Sequence, residues 1–296
     1  TVLMSPLKPP AVLTNARVPV YQFPETAAIA MARAARYGEW RNRPEPRRVE
    51  LSGIRREEAG AIVAAALQCG EGWLTPERVA ELLACYGLRM VEQKFARTPD
   101  EAAEAAGELG CPVALKIVAA NLLHKTDAGG VRLNLSGPEK VRDAASEMFA
   151  RLELQGQQPT GFIVQRMAPA GVEMILGVVH DAQFGPVVAC GAGGTQVELL
   201  RDVAVRLTPI SRLEASEMIR ALKTYPLLEG FRGGKKFDVT ALEDALLRVS
   251  ALVDDIPQIA ELDCNPFVVT EQGGEILDAR VRVTSVEPRP LIGVRR

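Results

Sequence analysis

Residues 115–131 read LKIVAANLLHKTDAGGV, and this stretch decides how the rest of the chain is interpreted. The apolar residues at its start alternate, which predicts a half-buried strand with Lys116 on the polar face. His124 follows, and the pair Gly129-Gly130 lets the backbone turn into a second strand at residues 131–135. A cation on a strand, a histidine in a loop and a glycine pair suit a site that binds a phosphorylated ligand.

Composition sets broad limits on the class of protein. The 296 residues are 47% hydrophobic and 24% charged with a net charge of -2, which is typical of a globular protein of roughly two domains or lobes. The balance gives no electrostatic reason to expect nucleic acid, and no apolar run approaches the roughly 18 residues of a membrane helix. We therefore expect neither nucleic acid nor a membrane as a partner.

The cysteines indicate a reducing compartment. The five are scattered, odd in number and never spaced as Cys-x-x-Cys, so we interpret them as thiols of a cytoplasmic protein. No signal peptide is recognised. The chain begins at Thr1 rather than Met, which suggests a processed chain or a fragment.

Helix and strand patterns mix along the chain without strict alternation. Helix starts are predicted at Pro76, Pro99 and Pro138, and a long amphipathic helix is predicted over residues 239–253. Strands are predicted between and after these helices, including closing strands at the C-terminal end. This order favours an α+β fold of two lobes over a doubly wound sheet.

The first 48 residues form a separate segment. Residues 17–22, RVPVYQ, predict a short strand, and Phe23-Pro24-Glu25 opens a helix that runs to Trp40. Residues 41–48 are polar and interrupted by prolines, as in a linker. The segment is either an ordinary N-terminal strand and helix or the last strand and helix of a preceding domain in a longer polypeptide.

The C-terminal region offers oxygen ligands for a metal. Glu261, Asp263 and Asn265 would share one face if a strand continues through them, and Asp278 lies on what should be a neighbouring strand. Mg²⁺ takes such oxygen ligands together with phosphates. The alternative is a set of solvent-facing acids on an edge strand, although Asp278 follows apolar residues, where an unpaired carboxylate is costly to bury.

Four other candidate residues each have a structural alternative. Glu173 has apolar neighbours and either faces solvent or has a partner, while Lys116 could be a surface lysine. Arg232, in the loop GFRGGKK, could reach a phosphate or be solvated. A lone histidine such as His124 is more often structural, but the following Lys-Thr-Asp could orient the ring and neutralise an attached phosphate. The sequence shows no Ser-His-Asp set, no Cys/His cluster and no Gly-x-Gly-x-x-Gly after a strand.

The whole string at 115–131 resembles the ATP-grasp segment of the NDP-forming, or ADP-forming, acyl-CoA synthetases. Further motifs occur in the family's order between residues about 50 and 285: GVEMILG, FGPVV, CGAGG, RDVAVRL, FRGG, ELDCNPF and LDAR. The resemblance implies a two-lobed ATP-grasp fold with nucleotide bound between the lobes. It divides the chain into the tail of a CoA-ligase region plus linker (1–48) and an ATP-grasp domain (49–296), with a lid lobe at roughly 76–165 and a second lobe at roughly 166–296.

The resemblance also implies roles for individual residues. His124 matches the phosphorylated histidine, and Lys116 matches the lysine that contacts the nucleotide phosphates. The residues implied in nucleotide binding are Lys116, Gln165 and Met167 of the hinge, Glu173 and Arg232. The implied Mg²⁺ ligands are Asn265 and Asp278, with Asp263 as a third ligand or directly behind them.

Two functions follow from this resemblance. The first is the ATP-grasp part of an ADP-forming acyl-CoA synthetase, which uses ATP/ADP and Mg²⁺. Its implied partners are acyl-CoA-handling domains of the same longer polypeptide or of a partner subunit. The second is a regulatory or degenerate ATP-grasp domain of a protein lysine acetyltransferase. The presence of Lys116, His124, Glu173, Asn265 and Asp278 favours the first, and a nucleotide-binding module without turnover is a weaker third option.

Overall fold

The computed structural model describes residues 1–4, 8–42, 49–70, 72–119, 130–181, 183–194 and 202–285. The chain divides into two compact units, Thr1–Arg47 and Arg48–Arg296. Within the described residues, no helix combines the length and the apolar composition needed to cross a membrane.

The first unit contains two helices, α1 (Ala11–Asn15) and α2 (Pro24–Arg41). Proline occupies the first turn of α2, where its missing N–H costs nothing, as the sequence predicts. The strand predicted at residues 17–22 is wrong, because this stretch forms only a single bridge between Tyr21 and Val2 and has no partner strand among the described residues. The origin of this unit in a CoA-ligase region stays a prediction.

The second unit is built on two sheets. The larger has seven strands, in the order β1-β11-β9-β6-β7-β8 with β10 paired to β9, and all of its pairs are antiparallel. Its strands are β1 (Gly72–Trp73), β6 (Val172–Asp181), β7 (Gly185–Ala192), β8 (Val203–Leu207), β9 (Ile259–Thr270), β10 (Gly273–Ile276) and β11 (Ala279–Val283). The helices of this lobe are α3 (Arg56–Gln68), α4 (Pro76–Cys85), α7 (Arg212–Arg220), α8 (Tyr225–Leu228) and α9 (Val239–Asp255).

The smaller sheet has four antiparallel strands in the order β2-β5-β3-β4. They are β2 (Gln93–Ala96), β3 (Val113–Ala119), β4 (Val131–Leu135) and β5 (Pro159–Arg166), and they share a core with α5 (Pro99–Leu109) and α6 (Pro138–Leu154). Helix α5 begins at Pro99, as predicted; Thr98 caps it by accepting a hydrogen bond from the Glu101 amide, and Gly110 ends it in the left-handed region.

These two layers confirm the α+β class and the two lobes. The limits of the smaller lobe differ from the sequence expectation of roughly 76–165. Helix α4 packs into the core of the larger sheet through Leu82 and Leu83, so residues 93–166 form the smaller lobe of the structure. Strand β9 runs without a break through the cis Asn265–Pro266 bond, so Asp263 and Asn265 lie on one strand.

Candidate functional site

A cleft of about 750 Å³ lies between the two sheets. Strands β3, β4 and β5 supply one wall, β6, β9 and β11 supply the other, and residues 167–171 connect the lobes at one end. Seven of the predicted site residues line this cleft: Lys116, Gln165, Met167, Glu173, Asp263, Asn265 and Asp278.

Lys116 and Gln165 reach across the cleft from the smaller sheet. The Lys116 Nζ donates a hydrogen bond of 2.7 Å to the backbone carbonyl of Leu277. The Gln165 Nε2 donates to the same oxygen at 2.9 Å and to Gln93 Oε1 at 3.0 Å. Lys116 is therefore a half-buried group that faces the larger lobe, unlike a lysine on an outer surface.

The acidic residues meet where β9 and β11 pair. Asp263 lies opposite Arg280 in the strand register, and the amide of Asn265 donates to the Asp278 carbonyl at 3.0 Å. Asp263 keeps an exposed surface, but the protein atoms around its carboxyl remove part of its solvent and so raise its pKa; the Arg280 charge opposes this rise and the Asp278 carboxylate adds to it. The carboxylates of Asp263 and Asp278 thus place negative charge in the cleft wall that belongs to the larger sheet.

This donor set fits a hard divalent cation. Asp263 and Asp278 supply carboxylate oxygens and Asn265 supplies an amide oxygen, which are the donor types that Mg²⁺ takes. A cation would also relieve the repulsion between the two carboxylates. Groups of three or more His, Cys, Asp or Glu side chains placed to hold a metal are absent from the described residues, so the set here combines two carboxylates with an amide.

Glu173 lies at the rim of the cleft, beside the loop after β7. The Gly193 amide donates to the Glu173 carbonyl at 2.8 Å, and a Cβ at Gly193 would lie 2.7 Å from backbone atoms of Glu173 and Met174. Gly194 has a φ of +66°, and a side chain there would collide with the Glu173 carboxylate. Only glycines allow the loop to approach this strand so closely.

Sequence reasoning missed several residues of the cleft. Arg280 lines it, and reading LDAR as the start of a strand would have put Arg280 on the same face as Asp278. Arg166 pairs with Glu275 at 3.0 Å and so joins the two lobes. The Leu277 carbonyl carries no signal in the sequence, because its role comes from a backbone atom.

Comparison with known proteins identifies the family. Residues 65–283 match a family model described as an ATP-grasp domain. The chain is 41% identical over 210 residues to the beta subunit of an ADP-forming acetate–CoA ligase I of Pyrococcus furiosus, covering 70% of this chain and 90% of that protein. The chain belongs to the ATP-grasp domains of the ADP-forming acyl-CoA synthetases.

Two further relatives define the extent of the likeness. An ADP-forming acetate–CoA ligase I of Archaeoglobus fulgidus is 36% identical over 274 residues; the match covers 91% of this chain and 39% of that protein. This chain therefore spans well under half of that relative's length. A solved structure of the dinucleotide-forming acetyl-coenzyme A synthetase 1 of Ca. Korarchaeum cryptofilum has a TM-score of 0.68 at 36% identity, covering 76% of this chain and 100% of that chain. That structure is described as a complex with coenzyme A and Mg-AMPPCP, with its phosphohistidine segment pointing towards the nucleotide binding site.

One predicted site residue that the structure describes, Arg232, is not among the residues that line the cleft. Arg232 is exposed, and its guanidinium carbon lies 5.3 Å from the centre of the Phe231 ring, so the structure does not bring it to the cleft. His124 falls in residues 120–129, outside the described residues.

Proposed function

We propose that this chain is the nucleotide-binding and phosphoryl-transfer part of an ADP-forming acyl-CoA synthetase. Such an enzyme converts acyl-CoA, phosphate and ADP reversibly to acid, CoA and ATP. The observation that carries the proposal is the cleft itself, which gathers a lysine from one lobe and the set Asp263, Asn265 and Asp278 from the other. The relatives named as ligases support a synthetase over a regulatory domain of a lysine acetyltransferase.

The cleft would bind ATP or ADP together with Mg²⁺. The bound metal would neutralise negative charge on the phosphates, and Asn265 and Asp278 would hold it, with Asp263 beside them. The Lys116 ammonium lies 2.7 Å from the carbonyl of Leu277, the neighbour of Asp278 in the chain, which supports a contact between Lys116 and a phosphate on that metal. Residues 166–168 line the cleft at the connection between lobes, where backbone groups would meet the adenine.

His124 would carry the phosphoryl group. Its nitrogen would form a bond to the γ-phosphorus of ATP while the bond from that phosphorus to the ADP oxygen breaks, so that ADP leaves. In support, the segment of residues 120–129 joins β3 to β4, whose paired residues Lys116 and Val131 both line the cleft. The phosphohistidine segment named for the Korarchaeum structure is consistent with this role.

Acyl-CoA chemistry would take place on domains beyond this chain, either in the same longer polypeptide or in a partner subunit. The Archaeoglobus relative is much longer than this chain, and the Pyrococcus relative is named as one subunit of a larger enzyme. The cytoplasmic location predicted from sequence is also part of this proposal, and the free thiols of all five cysteines are consistent with it.

The decisive experiment labels the histidine. The chain is incubated with Mg²⁺ and γ-³²P-ATP and assayed for acid-labile, base-stable phosphate, with His124→Ala as the test and His180→Ala as the matched control. We expect label on the unmodified chain and on His180→Ala, and none on His124→Ala. Label that survives His124→Ala would refute the phosphohistidine, and a chain that binds ATP without becoming labelled would favour the regulatory function.

A further inference from the structure

Within the described residues of the second unit, the larger sheet has one face that its helices do not cover. The strand register places residues in straight rows across the strands, and alternate rows point to opposite faces. One row consists of Val281, Leu262, Val178, Val188 and Arg206. Its first four members are fully buried in the core shared with the helices, so this row marks the covered face.

The neighbouring rows point the other way and form what we call the outer face. The first row consists of Trp73, Arg282, Glu261, Val179, Val187 and Leu207. The second row consists of Arg280, Asp263, Gly177, Ala189 and Val205. Together these rows cross six strands of the sheet.

The composition of the outer face is unlike a solvated one. An antiparallel sheet with one face in water normally carries polar residues on that face. Here the exposed fractions of large apolar side chains are 58% at Val179, 53% at Val205, 51% at Leu207 and 51% at Trp73. Val179, Val187, Val205 and Leu207 adjoin one another on β6, β7 and β8, and an exposed apolar patch of this kind marks an interaction site.

The patch has a groove and a polar border. Gly177 and Ala189 lie at its centre, and the resulting shallow depression of about 210 Å³ is lined by both rows. On one side the border is formed by the ion pair of Arg282 and Glu261. An apolar centre with a charged rim is the arrangement of a protein–protein interface.

The outer face is continuous with the nucleotide cleft. Asp263 lines both the depression and the cleft, and Arg280, its neighbour in the second row, lines the cleft as well. Any protein seated on the patch would therefore lie next to the end of the cleft that holds the carboxylates.

We propose that the outer face docks the acyl-CoA-handling module of the synthetase, joined in the same polypeptide or carried on a partner subunit. This inference rests on the proposed function, because a phosphoryl group made in the cleft must be delivered to that module. The Archaeoglobus relative contains more than half its length beyond the part matched here, so a module of sufficient size exists in such proteins. Docking beside Asp263 shortens the path between the two reaction centres.

A second copy of this chain fits the face less well. In a symmetric dimer the same patch meets itself, so each copy would occupy the face next to the other's cleft and leave the acyl-CoA-handling module no place there. The module that exchanges the phosphoryl group with the cleft is the occupant that needs this position.

The first test is photo-crosslinking in the complete protein that carries this chain with its acyl-CoA-handling module. p-Benzoylphenylalanine replaces Val205 on the outer face or, as the control, Leu213, which is 57% exposed at the start of α7 on the helix side. We expect crosslinks from position 205 to the acyl-CoA-handling module and none to it from position 213. Crosslinks from position 205 only to a second copy of this chain, or none at all, would overturn the proposal.

The second test compares two matched substitutions, Leu207→Glu on the outer face and Leu213→Glu on the helix side. We expect Leu207→Glu to lower overall acyl-CoA formation at least tenfold while labelling by γ-³²P-ATP stays within twofold, and Leu213→Glu to change neither. Overall turnover within twofold of normal for Leu207→Glu would count against docking. If the unmodified protein itself takes up no label, the proposed function fails, and the crosslinks still decide whether the outer face is the docking surface.

Discussion

Asp202 offers a stringent test of how the larger lobe is held together. Its buried carboxylate accepts three hydrogen bonds of 2.8 Å, from the amides of Lys223 and Thr224 and from the Thr224 hydroxyl. These bonds fix the turn before α8, where Thr224 lines a recess of about 360 Å³ that also contains Glu173 and Gly193. Replacing Asp202 should therefore lower the free energy of unfolding and also disturb the recess beside Glu173.

The magnitude follows from the charge on the acceptor. A hydrogen bond to a charged group contributes about 1.5–3 kcal/mol, and a buried donor left without an acceptor costs about 1–3 kcal/mol. For Asp202→Ala, water entering the space recovers part of this loss, so we expect a decrease of about 3 kcal/mol in the free energy of unfolding. Asp202→Asn keeps the shape and one acceptor oxygen, and we expect a decrease of about 1.5 kcal/mol.

The pH dependence gives an independent check. Burial alone would raise the pKa of Asp202, but the hydrogen bonds from Lys223 and Thr224 favour the ionised form and hold the pKa below its usual value. The unfolded chain, with an aspartate pKa of about 3.9, therefore binds a proton at higher pH than the folded chain does. The stabilisation is fully present above the unfolded pKa and is lost as the pH falls through the folded pKa.

The assay is urea unfolding followed by circular dichroism at several pH values, with amide hydrogen exchange of residues 222–225 as the local readout. The stability difference between the unmodified protein and Asp202→Asn should be constant at neutral pH and shrink below about pH 4. A difference that stays the same from neutral to strongly acid pH would refute the role of the charge. Unchanged exchange at the Lys223 and Thr224 amides in Asp202→Ala would refute the hydrogen bonds themselves.

Four further substitutions probe the cleft and its support. Lys116→Ala should weaken ATP or ADP binding by up to about 3 kcal/mol, as for a charged hydrogen bond. Lys94→Ala is the control, because Lys94 lies on the same sheet but pairs with Glu108 and is not among the residues that line the cleft, and it should leave the calorimetric affinity unchanged. Asn265→Ala and Asp278→Ala should abolish the Mg²⁺-dependent part of nucleotide binding in magnesium titrations, and metal dependence that persists in both would remove them from the site. Tyr86→Phe removes a 3.0 Å hydrogen bond from the Tyr86 hydroxyl to the Asp255 carboxylate of α9, and it should lower the free energy of unfolding by about 1.5 kcal/mol. A urea titration with an unchanged midpoint would contradict this contribution.

Periodicity and capping residues predicted much of this structure. The alternation around Lys116 gave a strand with the lysine on the cleft side, and the Thr-Pro pairs gave helix starts at α4 and α5. The convergence of Asp263, Asn265 and Asp278 on one cleft was also predicted, because strand periodicity puts alternate residues on one face.

Other features could not be predicted from local pattern. Asp202 bonds to residues 21 and 22 positions away, and those partners are mostly backbone amides that any residue supplies. The basic glycine loop around Arg232 suggested a phosphate contact, but the direction of a loop depends on tertiary packing. The outer face of the larger sheet became visible only once the register of six strands was known, since each strand alone reads as ordinary alternation.

The Leu277 carbonyl has a consequence for the energetics of ligand capture. A carbonyl oxygen has two lone pairs, and here it accepts from both Lys116 and Gln165, so its capacity is full. A phosphate that draws the ammonium away must first compete with this oxygen, and the measured affinity is the difference between the two interactions. Since a hydrogen bond from a charged donor contributes about 1.5–3 kcal/mol, the competition lowers the affinity by about ten- to a hundredfold. When Lys116 turns to a phosphate, Gln165 is the one of these two donors that still binds the Leu277 carbonyl. Phosphate binding by Lys116 is therefore thermodynamically linked to the hydrogen bonds that join the two lobes.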